Sequence, residues 1–196
     1  MKKLLLLFLP FFLLFACGQL ENRIDTSSPV DTKLVYNILS EPDAQMRKQL
    51  YVKLNASEKI YIWKDRIDNF IANSNLNEQQ KNHLALLKAK LNSELFNGDE
   101  NTAKKLEREW GKTAFEIFDK EEIKGVLGSL RPLKNQISSN STVSTSAADC
   151  GCNGDSWFDC SACNKSDPCS KDSDGCGFLL LYSCNQSCYL PPQNQP

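Results

Sequence analysis

The chain has 196 residues, with 23 basic and 24 acidic side chains, nine Cys and one His. That length allows one ordinary domain, or one with a small added module. A net charge of −1 excludes the basic excess of a nucleic-acid binder, one His excludes His-based metal clusters, and 41% hydrophobic residues are too few for a multi-span membrane protein.

Met1-Lys2-Lys3 is a short positive start, and Leu4 to Ala16 is an apolar run broken only by Pro10. As a helix that run rises about 20 Å, short of the roughly 30 Å hydrocarbon core, so it suits a signal peptide over 1–16 better than a membrane span. It ends in Leu14-Phe15-Ala16-Cys17, which resembles the bacterial lipobox, with Cys17 as the lipidated residue. Cysteine arithmetic agrees, because assigning Cys17 to a lipid leaves an even eight. Loss of Lys2 and Lys3 with the signal shifts the net charge from −1 to −3. The expected membrane attachment is therefore through acyl chains and not through charge.

Residues 17–29 read as a polar, flexible tether, and 30–132 as a helical domain. Ser40-Glu41-Pro42-Asp43 reads as a helix start capped by Ser40, with Met46 and Leu50 inward. Ser57 is the expected cap of the next helix, with Ile60, Trp63, Ile67 and Phe70 inward. Asn77 to Gln80 forms a capping box with Leu76 as a staple, and Leu84, Leu87, Leu91 and Leu95 follow as one stripe that Asn97-Gly98 ends. Ala103, Leu106, Trp110, Ala114 and Ile117 make a further stripe, and Asp119 opens a last short helix. The expectation is a bundle of five or six short helices around Trp63 and Trp110. His83 reads as a surface or boundary residue. Asp65, Asp68, Glu121 and Glu122 read as solvated helix faces. No catalytic residue, metal site or cofactor is assigned, and the chain is not expected to be an enzyme.

Residues 133–149 are rich in Ser and Thr and almost devoid of large apolar groups, which predicts a flexible, protease-sensitive linker. Cys150, Cys152, Cys160, Cys163, Cys169, Cys176, Cys184 and Cys188 then crowd into 39 residues. So short a piece cannot stabilise itself by burial, and disulfides at about 2–4 kcal/mol each supply the difference. The expected disulfide module is 150–190, followed by a flexible tail at 191–196. Its connectivity is left open, save that Cys150 and Cys152 do not pair with each other. Redox spacing at Cys160 and Cys163, or zinc ligation, are the alternatives; no βαβ context surrounds that pair and a second C-x2-C is missing. Phe178 to Tyr182 reads as a strand that pairs across an Asp172–Gly175 turn. Trp157, Phe158, Phe178 and Tyr182 are the candidate contact surface, because a module this small hides few large aromatics.

Cys150-Gly151-Cys152, the loop lengths, and Gly175-Cys176-Gly177 followed by an aromatic-containing run to Cys184 resemble the bacteriocin fulvocin C-related proteins. The stretches Trp63-Lys64 and Leu76 to Gln80 look like the front part of that family. The resemblance implies an antimicrobial-peptide lineage. One function expected from it is an envelope lipoprotein that presents or releases a disulfide-stapled antimicrobial-type module. The alternative, read from the anchor, the flexible linker and Trp157 and Phe158 and not from the resemblance, is a lipid-anchored cell-surface binding or adhesion module without killing activity. Segment 149–190 holds six Asp against two Lys, so it is repelled by anionic envelopes and a protein or glycan receptor is the expected partner.

Overall fold

The computed structural model describes residues 29–131, 133, 152–158 and 163–188, with backbone alone at 163–174 and 186–188. The expected signal 1–16, Cys17, the tether up to residue 28, the linker beyond 133, Cys150, Cys160 and the tail 191–196 lie outside those residues. The side chains of Cys163, Cys169 and Cys188 do so as well. The described part is mostly helical, with a small disulfide-bonded C-terminal region. Its helices are α1 (Thr32–Leu39), α2 (Ala44–Val52), α3 (Ala56–Asn73), α4 (Glu78–Lys90), α5 (Ser93–Asn97), α6 (Glu100–Ile117) and α7 (Lys120–Leu127). No helix among the described residues is long and apolar enough to cross a membrane.

Each of these seven helices opens on an Asp or Asn whose side chain accepts a backbone N–H of the first turn: Asp31, Asp43, Asn55, Asn77, Asn92, Asp99 and Asp119. Such caps contribute about 0.5–2 kcal/mol apiece. Two expected caps are corrected. Ser40 closes α1, and α2 starts at Asp43, which accepts Met46 N–H at 2.7 Å. Asn55, not Ser57, caps α3, because Glu58 returns the bond to the Asn55 N–H at 3.0 Å and completes a capping box. The expected box at Asn77 and Gln80 is present. The leucine stripe is buried throughout but spans two helices: Leu91 is extended, and Asn92 caps α5.

The core runs through α3, where Ile62, Trp63, Ile67 and Phe70 are buried, while Ile60 is only half-buried. The α2 face differs from expectation: Met46 is 47% exposed and Arg47 and Tyr51 are buried instead. Arg47 turns inward because its guanidinium donates to the carbonyls of Glu41 at 2.9 Å and Leu130 at 3.0 Å. Arg66 does the same for the end of α7, donating to Val126 O at 2.6 Å and Gly125 O at 2.9 Å. Burial, with Arg47 nearby, lowers the Arg66 pKa to about 10. His83 is half-buried, its ring stacked on Trp110 at 4.5 Å. Burial lowers its pKa, against an opposing hydrogen bond at Trp110 O.

The C-terminal region is an irregular antiparallel hairpin of β1 (Cys163–Cys176) and β2 (Tyr182–Cys188), with Ser173 opposite Cys184 and Cys176 opposite Tyr182. The expected strand at Phe178–Tyr182 and the turn at Asp172–Gly175 are corrected. Residues 173–176 belong to β1, and Phe178–Leu180 is a single 3-10 turn with Leu179 and Leu180 at φ of 53° and 55°. The physical reason is burial. An extended strand sends alternate side chains to opposite faces, whereas here Phe178, Leu179 and Tyr182 are all 0% exposed. Holding two leucines in the left-handed region costs roughly 1–2 kcal/mol each.

Candidate functional site

One face of α6 meets the C-terminal region. Ala103, Leu106, Glu107, Trp110, Gly111 and Ala114 recur at helical spacing, and all are buried. Glu107 is the exception in that apolar stripe. It is 2% exposed, so its carboxylate must find partners or be strongly disfavoured. The partners all come from the C-terminal region. Oε1 accepts the Ser156 hydroxyl at 2.8 Å, Trp157 N–H at 2.6 Å and Phe158 N–H at 3.3 Å. Oε2 accepts the Tyr182 hydroxyl. Ser156 Oγ in turn accepts Phe178 N–H at 3.1 Å. A single carboxylate thus gathers residues 156–158 and Tyr182. Burial raises the Glu107 pKa, although these hydrogen bonds pull it down. Tyr182 is pushed well above the ordinary phenol range by burial and by the Glu107 carboxylate.

Toward its N-terminus the same helix is open to solvent and more highly charged. Glu100 Oε2 accepts Ser183 N–H at 3.2 Å and its hydroxyl at 3.0 Å. Lys104 bridges Glu100 and Asp155, each at 3.0 Å. Burial pushes Glu100 up, but the bonds from Lys104 and Ser183 outweigh it and hold the carboxyl below its usual value. Exposed pairs of this kind contribute little on their own. Near Glu100 lies a cleft of about 250 Å³, walled by Val52, Lys59, Phe96, Leu180 and Leu181 among others.

The aromatic contact surface expected from the sequence is corrected. Phe158, Phe178 and Tyr182 are at most 2% exposed. Phe158 stacks on Phe115 at 4.9 Å and packs on Phe178 at 4.8 Å, and both Phe158 and Phe178 pack on Trp110. The module is too small to bury these rings within itself, so it borrows the helical core. Small residues make the slot. A Cβ at Gly111 would meet Phe158 Cε2 at 3.1 Å, and one at Gly128 would strike Phe158 O at 2.1 Å. Trp157 alone of the four stays open, 44% exposed with its ring 6.2 Å from that of Phe115.

On the other side of the hairpin, Tyr51 in α2 joins the two regions. Trp63 Nε1–H donates to Tyr51 Oη at 2.8 Å, and the Tyr51 hydroxyl donates to Leu179 O at 3.2 Å. Burial pushes the Tyr51 phenol above its ordinary range. Tyr51→Phe leaves the buried Trp63 N–H and the Leu179 carbonyl without this partner. The expected loss is about 1–3 kcal/mol, read as a lower urea midpoint with an unchanged slope.

Of the eight module cysteines, Cys176 and Cys184 form a disulfide, and Cys152 is also disulfide-bonded. Cys163 lies opposite Cys188 in the hairpin backbone. Among the described residues, no cluster of His, Cys, Asp or Glu is placed to hold a metal ion. Glu107, Tyr51 and Gly111 were not singled out from the sequence. Glu107 did carry a signal, because it sits one turn from both Ala103 and Trp110 on the stripe assigned to the core. No family model matches this chain, and no curated protein or solved structure is significantly similar to it.

Proposed function

We propose that this chain is an exported, lipid-anchored envelope protein of the bacteriocin fulvocin C-related type whose disulfide module stays seated on the helical domain. It acts there as a surface binding head and not as a released toxin. The observation that carries this reading is the shared core: Phe158, Phe178, Leu179 and Tyr182 belong to the same buried cluster as Trp63, Trp110 and Leu127. A free 150–190 peptide would expose those side chains to water, at about 1.5–3 kcal/mol for each large apolar residue. It would also strip Glu107 of the four donors that satisfy it. Glu107 is fully engaged by those donors, which favours a binding protein over an enzyme. The acidic character of 149–190 favours a protein or glycan receptor over an anionic bilayer. Trp157, held by its backbone and still exposed, is the residue of the original aromatic set left to meet such a partner.

The test is to cut the chain between 134 and 149 in washed membranes by limited proteolysis, without reductant. The expected result is two peptides that remain together in the membrane fraction and, after detergent extraction, co-elute on size exclusion. A module that appears alone in the wash would overturn the anchored reading and favour the released-peptide function, to be followed by killing assays on the fragment.

A further inference from the structure

The Lys48 side chain of α2 reaches across to the hairpin and places its ammonium 2.8 Å from Cys184 Sγ and 3.2 Å from Cys176 Sγ. Both cysteines are at most 2% exposed. Their disulfide closes a loop that holds Gly177, Leu179 and Leu180 at positive φ. The ladder is irregular there as well, with a register shift between Asp174 and Cys176. Two conditions that favour thiol exchange therefore meet at one bond: a cation at both sulfurs, nearer Cys184, and a left-handed backbone that relaxes when the loop opens. Burial of the pair makes attack wait on a local opening of the Gly177–Leu181 turn. A cation beside a sulfur favours the thiolate, and a better-stabilised thiolate is a faster leaving group.

We infer that Cys176–Cys184 is the exchange-labile disulfide of the module, opened by a dithiol reductant with Cys184 leaving as a thiolate held by Lys48. The reductant's thiolate bonds to Cys176 Sγ, the Cys176–Cys184 bond breaks, and its electron pair goes to Cys184 Sγ. The second thiol of the reductant gives up its proton and attacks the mixed disulfide at the reductant's own sulfur. Cys176 leaves and takes up a proton. The protein disulfide has gained two electrons, and the reductant has become an intramolecular disulfide. Opening frees the Gly177–Leu181 turn, so Leu179 leaves the core and its carbonyl leaves Tyr51. The Glu107 contacts to residues 156–158 do not depend on that bond and persist. This device is independent of whether the module binds a receptor.

The test uses the full chain with dithiothreitol, trapping with N-ethylmaleimide at timed intervals and locating the label by peptide mass spectrometry. Cys176 and Cys184 are expected to be labelled first. Lys48→Met, which keeps the aliphatic stem, should slow their opening by roughly three- to tenfold, whereas Lys48→Arg should stay near the wild-type rate. Opening of another pair first, or a wild-type rate in Lys48→Met, overturns the inference. Should Lys48→Met lose its helical circular dichroism, the wild type decides. After reduction, Cys184 should react with iodoacetamide half-maximally below the ordinary thiol range near 8.5; half-maximal reaction at or above that range overturns the inference equally.

Discussion

Glu107→Ala is expected to unseat the C-terminal region. The substitution leaves the Ser156 hydroxyl, the Trp157 and Phe158 N–H groups and the Tyr182 hydroxyl facing a buried void. Each unsatisfied buried group costs about 1–3 kcal/mol, less where water enters, so a total of about 3–5 kcal/mol is expected. Chemical denaturation should show a lowered midpoint, and Phe158 and Phe178 amides should lose hydrogen-exchange protection before those of α3. Glu107→Gln separates charge from shape. Its amide oxygen accepts the same N–H groups, and its NH₂ donates to the Tyr182 oxygen. That variant should stay folded, within about 1 kcal/mol of wild type. Equal losses in the Ala and Gln variants would refute the role given to the carboxyl oxygen.

The pH dependence of that pair has a definite sign. Burial raises the Glu107 pKa above the ordinary carboxyl value of 4.5, so the fold shifts the group toward its protonated form. Its contribution to stability is complete below about pH 4.5 and is lost as pH rises through the elevated folded value. Glu100 has the opposite sign, since its folded pKa is lowered: its contribution is present above the unfolded value and is lost on acidification through the folded one. The readout is therefore the difference in unfolding free energy, wild type minus Glu107→Gln. It should fall as pH rises from the unfolded value of Glu107 and flatten once Glu107 is ionised in the fold. A difference that rises over that window would sink the assignment.

Gly128→Val is the second change expected to have a large effect. Gly128 follows α7 where Phe158 O passes so close that even a Cβ would stand 2.1 Å from it and 3.0 Å from Lys124 O. Both contacts are backbone, so no side chain can swing away. The 156–158 segment must lift off α6 and take the Glu107 bonds with it. Losses above 4–5 kcal/mol are exceptional for a single residue, and this site combines a steric clash with a broken buried network. The expected outcome is a helical domain that keeps its far-ultraviolet circular dichroism while Trp157 and Phe158 become protease-accessible. At Gly125, three residues earlier, a Cβ meets nothing within 4 Å, so Gly125→Ala is the matched control and should gain slightly from helix propensity. Wild-type protease resistance in Gly128→Val would show that the two regions are not held in this register.

Much of the fold was legible because helices announce themselves locally. The 3.6-residue stripes placed Trp63, Trp110, Leu84 and Leu87 inward, and Asn77 with Gln80 marked a cap without any tertiary information. The errors were also local. Ser40 and Ser57 are good caps by type, yet the helices start at Asp43, three residues after the one, and at Asn55, two residues before the other, because a cap is decided by which carboxylate or amide reaches a free N–H. Met46 looked inward by hydropathy, but Arg47 has carbonyl partners inside and Met46 has none to lose.

The helical character of 30–132 and the need for covalent staples after Cys150 can be read from the amino-acid order alone. Both follow from short-range rules, periodicity in the one case and the surface-to-volume limit of a small domain in the other. Where the module's aromatics go depends on the packing of the two regions. Composition suggested that Phe158, Phe178 and Tyr182 stay exposed because a 39-residue module cannot cover them. The helical domain covers them instead, through Gly111, Gly128 and a buried Glu107, each of which lies 30 residues or more away in sequence from every group it receives. Such pairings depend on complementary shape and on matched donors and acceptors between distant segments. No local pattern encodes them, because neither partner shows its need until the other is in place.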